Sequence, residues 1–195
     1  MYTVVVVENM SLDGVAQAPG RPDEDTRGGF HLGGWAARAL ADDPEAVEAS
    51  LQGQRDTAGL LLGRRTYEDV LGHWLGTAEA NPFAEVLART PKWVVSRSSG
   101  VDLPHPNSTL LPGPATESVR RLKGEGSGNL VVLGSLSLVH DLVGAGLVDR
   151  FVLTTIPVVL GSGTRLFDGT PVRLQVDSIT TTPTGIVVAD LLSTG

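Results

Sequence analysis

The chain has 195 residues and a formal net charge of −7, with 41% hydrophobic residues and no cysteine. This length and composition are typical of an ordinary globular protein, so we expect residues 1–195 to form a single domain. The acidic charge argues against a nucleic-acid or anionic-membrane binder, because such proteins neutralise phosphate with basic side chains. The lack of cysteine excludes thiol catalysis and Cys-ligated metal centres.

The predicted elements alternate between strands and helices through the first three quarters of the chain. We predict strands at 2–7, 58–62, 92–96, 108–111, 130–133, 150–156, 172–179 and 186–192, helices at 36–40, 44–55, 66–71, 82–88, 116–123 and 135–143, and loops that include 9–34 and 76–82. Alternation of this kind predicts parallel pairing, whereas the last two strands follow each other without a helix. The fold class is therefore α/β: a mixed, mainly parallel central sheet flanked by helices, with a C-terminal antiparallel strand pair. The apolar runs are too short to span a membrane, and we expect a cytoplasmic protein.

Arginines follow the predicted strand at 58–62. Gly63, Arg64, Arg65 and Thr66 come directly after it, and Thr66 could cap the next helix, with Asp69 at the third helical position. Ligands of open α/β sheets bind beyond the carboxyl ends of the strands, where a helix N-terminus and guanidinium groups favour an anion. The alternative is a turn with two solvent-exposed arginines.

Two further strands end in the same manner. Ser96, Arg97 and Ser98 follow one of them, and Gly134, Ser135 and Leu136 follow another. Neither G-x-G-x-x-G nor the Walker sequence is present, and each junction alone could be an ordinary turn. Three such junctions on one sheet edge indicate a long ligand with several phosphates. The arginine pair would suit a ribose 2′-phosphate, which favours NADPH over NADH.

Several segments resemble one known family. They are Ser11-Leu12-Asp13-Gly14, the run from Gly63 to Glu68, residues 132–135, and the segments 142–149, 157–163 and 166–167. The chain resembles the dihydrofolate-reductase-like superfamily, and within it the C-terminal reductase domain of the bacterial riboflavin biosynthesis protein and its stand-alone relatives. The zinc deaminase signature of the complete riboflavin enzyme is absent.

This resemblance implies an NADPH-dependent reductase of a pterin-like or aminopyrimidine-like molecule, which could be a ribosylaminopyrimidinone phosphate, and it implies a homodimer. The first two junctions would hold the adenosine 2′-phosphate, and Gly134, Ser135 and Leu136 the pyrophosphate. The turn from Ser11 to Ala16, which includes Gly14, would line the nicotinamide.

Reduction of a C=N bond needs a proton donor, and a carboxylic acid with a raised pKa could supply it. The candidates in and before the first loop are Glu8, Asp13, Asp23, Glu24 and Asp25, of which we favour Glu24 and Asp25. Asp13 could be catalytic, or it could simply stabilise a turn. The acidic segment could be a lid over the substrate or a mobile surface loop.

Two aromatic side chains, Phe30 and Trp35, could form a wall for a flat heterocycle or could fill the core. No histidine pair has metal-ligand spacing, so we expect no metal site. A non-catalytic nucleotide-binding protein of the same fold remains an alternative. A purely structural homodimer is another, and it requires Arg64 and Arg65 to face solvent with no concavity between them.

Overall fold

A computed structural model describes residues 1–76 and 82–195, so residues 77–81 of the predicted loop 76–82 lie outside the described residues. The strands are β1 (Tyr2–Ser11), β2 (Thr57–Gly63), β3 (Lys92–Ser96), β4 (Ser108–Pro112), β5 (Gly128–Leu133), β6 (Arg150–Ile156), β7 (Leu174–Thr181) and β8 (Val187–Ser193). The helices are α1 (Trp35–Ala41), α2 (Pro44–Gln52), α3 (Arg64–Gly76), α4 (Pro82–Arg89), α5 (Ala115–Lys123) and α6 (Leu136–Gly144). None of these helices is long and apolar enough to cross a bilayer.

The strands form one sheet in the order β4-β3-β2-β5-β1-β6-β8-β7. The pairs from β4 to β6 are parallel, whereas β8 runs antiparallel to both β6 and β7. The mainly parallel sheet with its C-terminal antiparallel pair confirms the predicted fold class. The parallel pairing also brings the carboxyl ends of β1, β2, β3 and β5 to one edge, as ligand binding requires.

Apolar side chains pack on both faces of the sheet, so the central strands are buried on both sides. On β1, Val4 and Val6 belong to one core cluster, whereas Val5 and Val7 belong to the cluster on the opposite face. The run of four valines is therefore a fully buried strand, as its β-branched composition predicts.

Two local predictions about β1 and Thr66 were wrong. The strand β1 continues beyond Val7 to Ser11, because Asn9, Met10 and Ser11 pair with β6. Helix α3 begins at Arg64, so Thr66 lies inside the first turn and is not its cap. The Thr66 hydroxyl instead accepts a hydrogen bond from the Ser135 amide, at 3.1 Å.

Candidate functional site

A groove of about 1490 Å³ runs along the carboxyl edge of the sheet. Its walls come from the first loop (residues 12–34), the ends of β2, β3 and β5, and the first residues of α3, α5 and α6. All three predicted junctions line it, and so does one residue of the predicted nicotinamide turn: Gly63, Arg64, Arg65, Thr66, Ser96, Arg97, Ser98, Gly134, Ser135, Leu136 and Ala16. The predicted residues Ser11 and Gly14 do not line the groove.

One end of the groove is basic. Arg64 and Arg65 occupy the first turn of the 13-residue helix α3, and Arg97 follows β3 on the neighbouring wall. Arg64 donates to Glu68 at 3.1 Å, and both side chains are about half exposed. Because solvent weakens that ion pair, Arg64 can turn to a phosphate at little cost. Since Arg64 and Arg65 line a concave site, the purely structural homodimer does not fit the geometry.

Two strand ends are tied together in the middle of the groove. The Ser135 hydroxyl accepts a hydrogen bond from the Gly63 amide at 3.0 Å, while the Ser135 amide donates to Thr66. Gly134 and Ser135 both have left-handed backbones, with φ values of +54° and +56°. Ser135 occupies the position before α6, but its side chain makes no capping hydrogen bond there. The two junctions therefore present a fixed surface of amides and hydroxyls to a ligand.

The first loop forms a further wall of the groove. Arg21 in this loop donates to Asp69 of α3 at 2.6 Å, and the Trp35 indole donates to the Gln17 carbonyl at 2.9 Å. These contacts fix the loop against α3 and α1. Phe30 is buried beside Trp35 in a small apolar cluster, and neither ring lines the groove. Both rings pack the loop here; Phe30 also borders a second cavity of about 490 Å³.

The three acids considered as catalytic residues, Asp13 and the two favoured acids Glu24 and Asp25, have different environments. Asp13 accepts hydrogen bonds from the Leu160 and Gly161 amides and from Ser11, which lower its pKa to about 2. The side-chain hydrogen bond from Arg27 lowers the pKa of Asp25. Burial raises the pKa of Glu24, against the Gly20 and Arg21 amides that donate to it. Of the three, only Glu24 both lines the groove and has an environment that favours a bound proton.

Glu8, like Asp23, is a candidate acid that the sequence indicates but that we did not favour. Its side chain is only 4% exposed, and its Oε1 atom has no hydrogen-bond partner within the described part of the chain. Burial raises its pKa well above the ordinary value, the charge of Glu24 raises it further, and the Gly134 amide opposes both. The sequence feature that could have singled out Glu8 is its position directly after the four valines of a buried strand.

The comparisons with known proteins agree with this architecture. The model of the RibD C-terminal domain matches residues 2–188. The chain belongs to that family. Among curated proteins, the uncharacterised protein YwjB of Bacillus subtilis is 47% identical over 108 residues, which are 55% of this chain and 57% of that protein. The match thus spans little more than half of that relative's length.

Solved structures share the fold at low sequence identity. A putative riboflavin biosynthesis protein from Shewanella superposes with a TM-score of 0.66 at 18% identity and covers 99% of each chain. A dihydrofolate reductase from Enterococcus faecalis, complexed with NADP(H) and a second compound, gives a TM-score of 0.59 at 13% identity. That alignment covers 99% of this chain and 97% of the other. Both neighbours place the chain in the dihydrofolate-reductase-like fold class.

Proposed function

We propose that this protein is an NADPH-dependent reductase of a pterin-like or aminopyrimidine-like molecule. One observation carries the proposal: a single groove is lined both by the three arginines of its basic end and by the half-buried carboxyl group of Glu24, whose pKa is raised by burial. The arginines suit a phosphorylated cofactor, and the Glu24 carboxyl group suits a reaction that consumes a proton. Membership of a reductase-like family supports the same class of reaction.

Under this proposal, successive groups of groove residues would hold successive parts of NADPH. Arg64, Arg65 and Arg97 would hold the 2′-phosphate, because guanidinium groups bind phosphate through paired hydrogen bonds. Gly134 and Leu136 would approach the pyrophosphate at the start of α6, where free amides favour an anion. Ala16 would line the nicotinamide, which supplies a hydride when the cofactor is bound. The first loop, as one wall of the groove, would shield the reacting atoms from part of the solvent.

A non-catalytic nucleotide-binding protein is the second candidate. It would use the same arginine end but would have no need of buried acids. Two carboxyl groups with raised pKa values, Glu8 and Glu24, therefore favour an enzyme, because such groups cluster at catalytic sites.

The assignment of the 2′-phosphate predicts a measurable cofactor preference. We expect NADPH to raise the melting temperature more than NADH at equal concentration, since a ligand at 100 times its Kd adds about 2.7 kcal/mol to the free energy of unfolding. The double variant Arg64→Ala/Arg65→Ala should weaken NADPH at least tenfold and leave NADH nearly unchanged. Titration of nicotinamide fluorescence gives both dissociation constants.

A matched control comes from helix α5. Arg120 and Arg121 are also adjacent and exposed but do not line the groove, so Arg120→Ala/Arg121→Ala makes the same charge change elsewhere. We expect it to keep the wild-type preference. Equal loss of NADPH affinity in both double variants would show that the effect comes from the change in net charge, and it would reject the assigned 2′-phosphate site. Failure of the wild type to bind either nucleotide would reject the reductase.

A further inference from the structure

The side chain of Gln17 is buried in the first loop, and its amide group forms four hydrogen bonds. It is only 3% exposed. Its Oε1 atom accepts hydrogen bonds from the backbone amide and the hydroxyl group of Thr164, at 2.8 and 3.1 Å. Its Nε2 atom donates to the backbone carbonyls of Asp25 and Arg27, at 3.2 and 3.0 Å. One side chain thus connects the start of the first loop, the middle of that loop, and the loop after β6.

The base of this connection is itself held by the backbone. The Ala16 amide donates to the Thr164 carbonyl at 2.9 Å, and the Trp35 indole donates to the Gln17 carbonyl at 2.9 Å. The partners of the side chain also determine which way its amide group points, because carbonyls can only accept and the Thr164 amide can only donate. Gln17 is therefore placed to hold other parts of the loop in one position.

The part of the loop that Gln17 holds is segment 23–27, which carries Glu24. All five residues of this segment line the groove, and so do Ala16 and Gln17. Within the described part of the chain, the other hydrogen bonds and ion pairs of the segment join it only to residues 20–30 of the same loop. The Gln17 side chain is thus the link between this stretch of the groove wall and the loop after β6.

We propose that Gln17 is a positioning residue, whose side-chain amide fixes segment 23–27 and thereby holds the groove wall that carries Glu24 beside the nicotinamide end of the cofactor. The proposal rests on the proposed reductase function, in which Ala16 lines the nicotinamide. A buried amide with four partners allows little movement, because each lost hydrogen bond would leave a donor or acceptor unsatisfied. Gln17 itself need not touch the reacting atoms.

The fixing of the segment is tested on the full chain without cofactor. Trypsin cleaves after arginine and lysine but not before proline, and Arg21 precedes Pro22, so Arg27 provides the one cleavage site within residues 1–34. The rate at which fragment 1–27 appears reports how often the segment detaches. We expect Gln17→Met to accelerate its appearance at least tenfold, because methionine has nearly the same size but forms none of the four hydrogen bonds.

A matched control and a milder variant complete this test. Gln175→Met should keep the wild-type rate, because Gln175 is exposed on β7 and lines neither cavity. Thr164→Val removes only the 3.1 Å hydrogen bond, at an exposed position, and should accelerate cleavage about fivefold. Equal rates in Gln17→Met and Gln175→Met would overturn the fixing of the segment. If Gln17→Met does not fold, an unchanged rate in Thr164→Val would overturn it.

The role at the nicotinamide end is tested by comparing NADPH with adenosine 2′,5′-bisphosphate, which carries the 2′-phosphate but no nicotinamide. Titration calorimetry should show that Gln17→Met weakens NADPH at least fivefold and leaves the bisphosphate within twofold. Arg64→Ala/Arg65→Ala should weaken both ligands. A general loss of stability would not separate the two, so equal weakening in Gln17→Met, or unchanged NADPH affinity, would overturn the positioning role. A wild type that binds neither ligand would contradict the reductase function, and the trypsin result would still decide whether Gln17 holds the segment.

Discussion

Individual carboxyl groups show how strongly the pKa of a side chain depends on its surroundings in this protein. Asp13 and Glu8 lie five residues apart, yet hydrogen bonds lower the pKa of Asp13 to about 2 while burial raises that of Glu8. Asp13 accepts two amide hydrogen bonds from residues 160 and 161, almost 150 positions away along the chain. It thus joins the first loop to the loop after β6.

Replacement of Asp13 by Asn tests this contact at the residue scale. We expect Asp13→Asn to lower the urea midpoint at pH 7, because the ionised carboxylate is the stronger acceptor of the Leu160 and Gly161 amides. A lowered folded-state pKa gives stability that is present above 3.8, the ordinary pKa, and is lost as pH falls toward 2. The urea midpoints of wild type and variant should therefore converge between pH 4 and pH 2.

Asp42→Asn serves as the control, because Asp42 is exposed at the end of α1. This substitution should leave the urea midpoint within error at pH 7. A constant gap between wild type and Asp13→Asn across the acid range would show that the lost stability does not come from the ionised form.

At the scale of elements, close packing fixes the loop after β6 against the first loop. Gly163 has a φ of +116°, and a Cβ atom there would lie 2.7 Å from Val15 and 2.9 Å from Phe30. Gly161, two residues earlier, has a φ of +75° and no atom within 4 Å of such a Cβ. The two glycines share a positive φ but differ in the space around them.

Alanine substitutions at these glycines should separate the cost of backbone strain from the cost of steric overlap. We expect Gly161→Ala to cost about 1 kcal/mol, the penalty for a left-handed backbone. Gly163→Ala should cost about 3 kcal/mol, because the side chain also forces Val15 and Phe30 apart. Thermal denaturation measures the loss of stability in each variant. Equal losses would show that the first loop moves aside for the added methyl group at no cost in free energy.

At the scale of the whole molecule, a single sheet carries every strand of the described chain, and we propose that residues 1–195 act as one domain. The sheet ends in β7, whose residues are mostly exposed. A register shift lies between Val176 and Ser178, so Val176 pairs with Leu191 and Ile179 pairs with Ala189. Val176 and Ile179 therefore share one face of the sheet, and both are more than half exposed. An apolar strip on an edge strand favours association with a second copy.

The homodimer is thus a prediction that this strip makes testable. We expect light scattering after size exclusion to give a dimer, and Val176→Lys to give a monomer, because the charge would be buried in the interface. Val86→Lys on α4 is the control, since Val86 is 58% exposed, similar to 54% for Val176, at the opposite end of the sheet. A monomeric wild type, or a Val176→Lys variant that stays dimeric, would contradict this interface.

The order of elements could be predicted from the sequence, because strand and helix patterns are local. The run Val4–Val7 had to be a buried strand, and Gly63 and Gly134 had to end strands where the chain turns. The three junctions could also be placed at one edge, because parallel strands share the direction of their carboxyl ends. The end of β1 was predicted wrongly, since the strand reaches Ser11 only through pairing with β6.

Only the tertiary structure decided which acid lines the groove and which residues form hydrogen bonds with each other. Glu24 lines the groove because the first loop is held against α3 by the hydrogen bond from Arg21 to Asp69, and no local pattern encodes that contact. Thr66 was predicted to cap its own helix, but its hydroxyl accepts a hydrogen bond from the Ser135 amide, and the Ser135 hydroxyl accepts one from the Gly63 amide. Local chemistry determined what each side chain could bind. Only the packing of distant segments determined which partner it met and in which direction the pKa of each carboxyl group shifted.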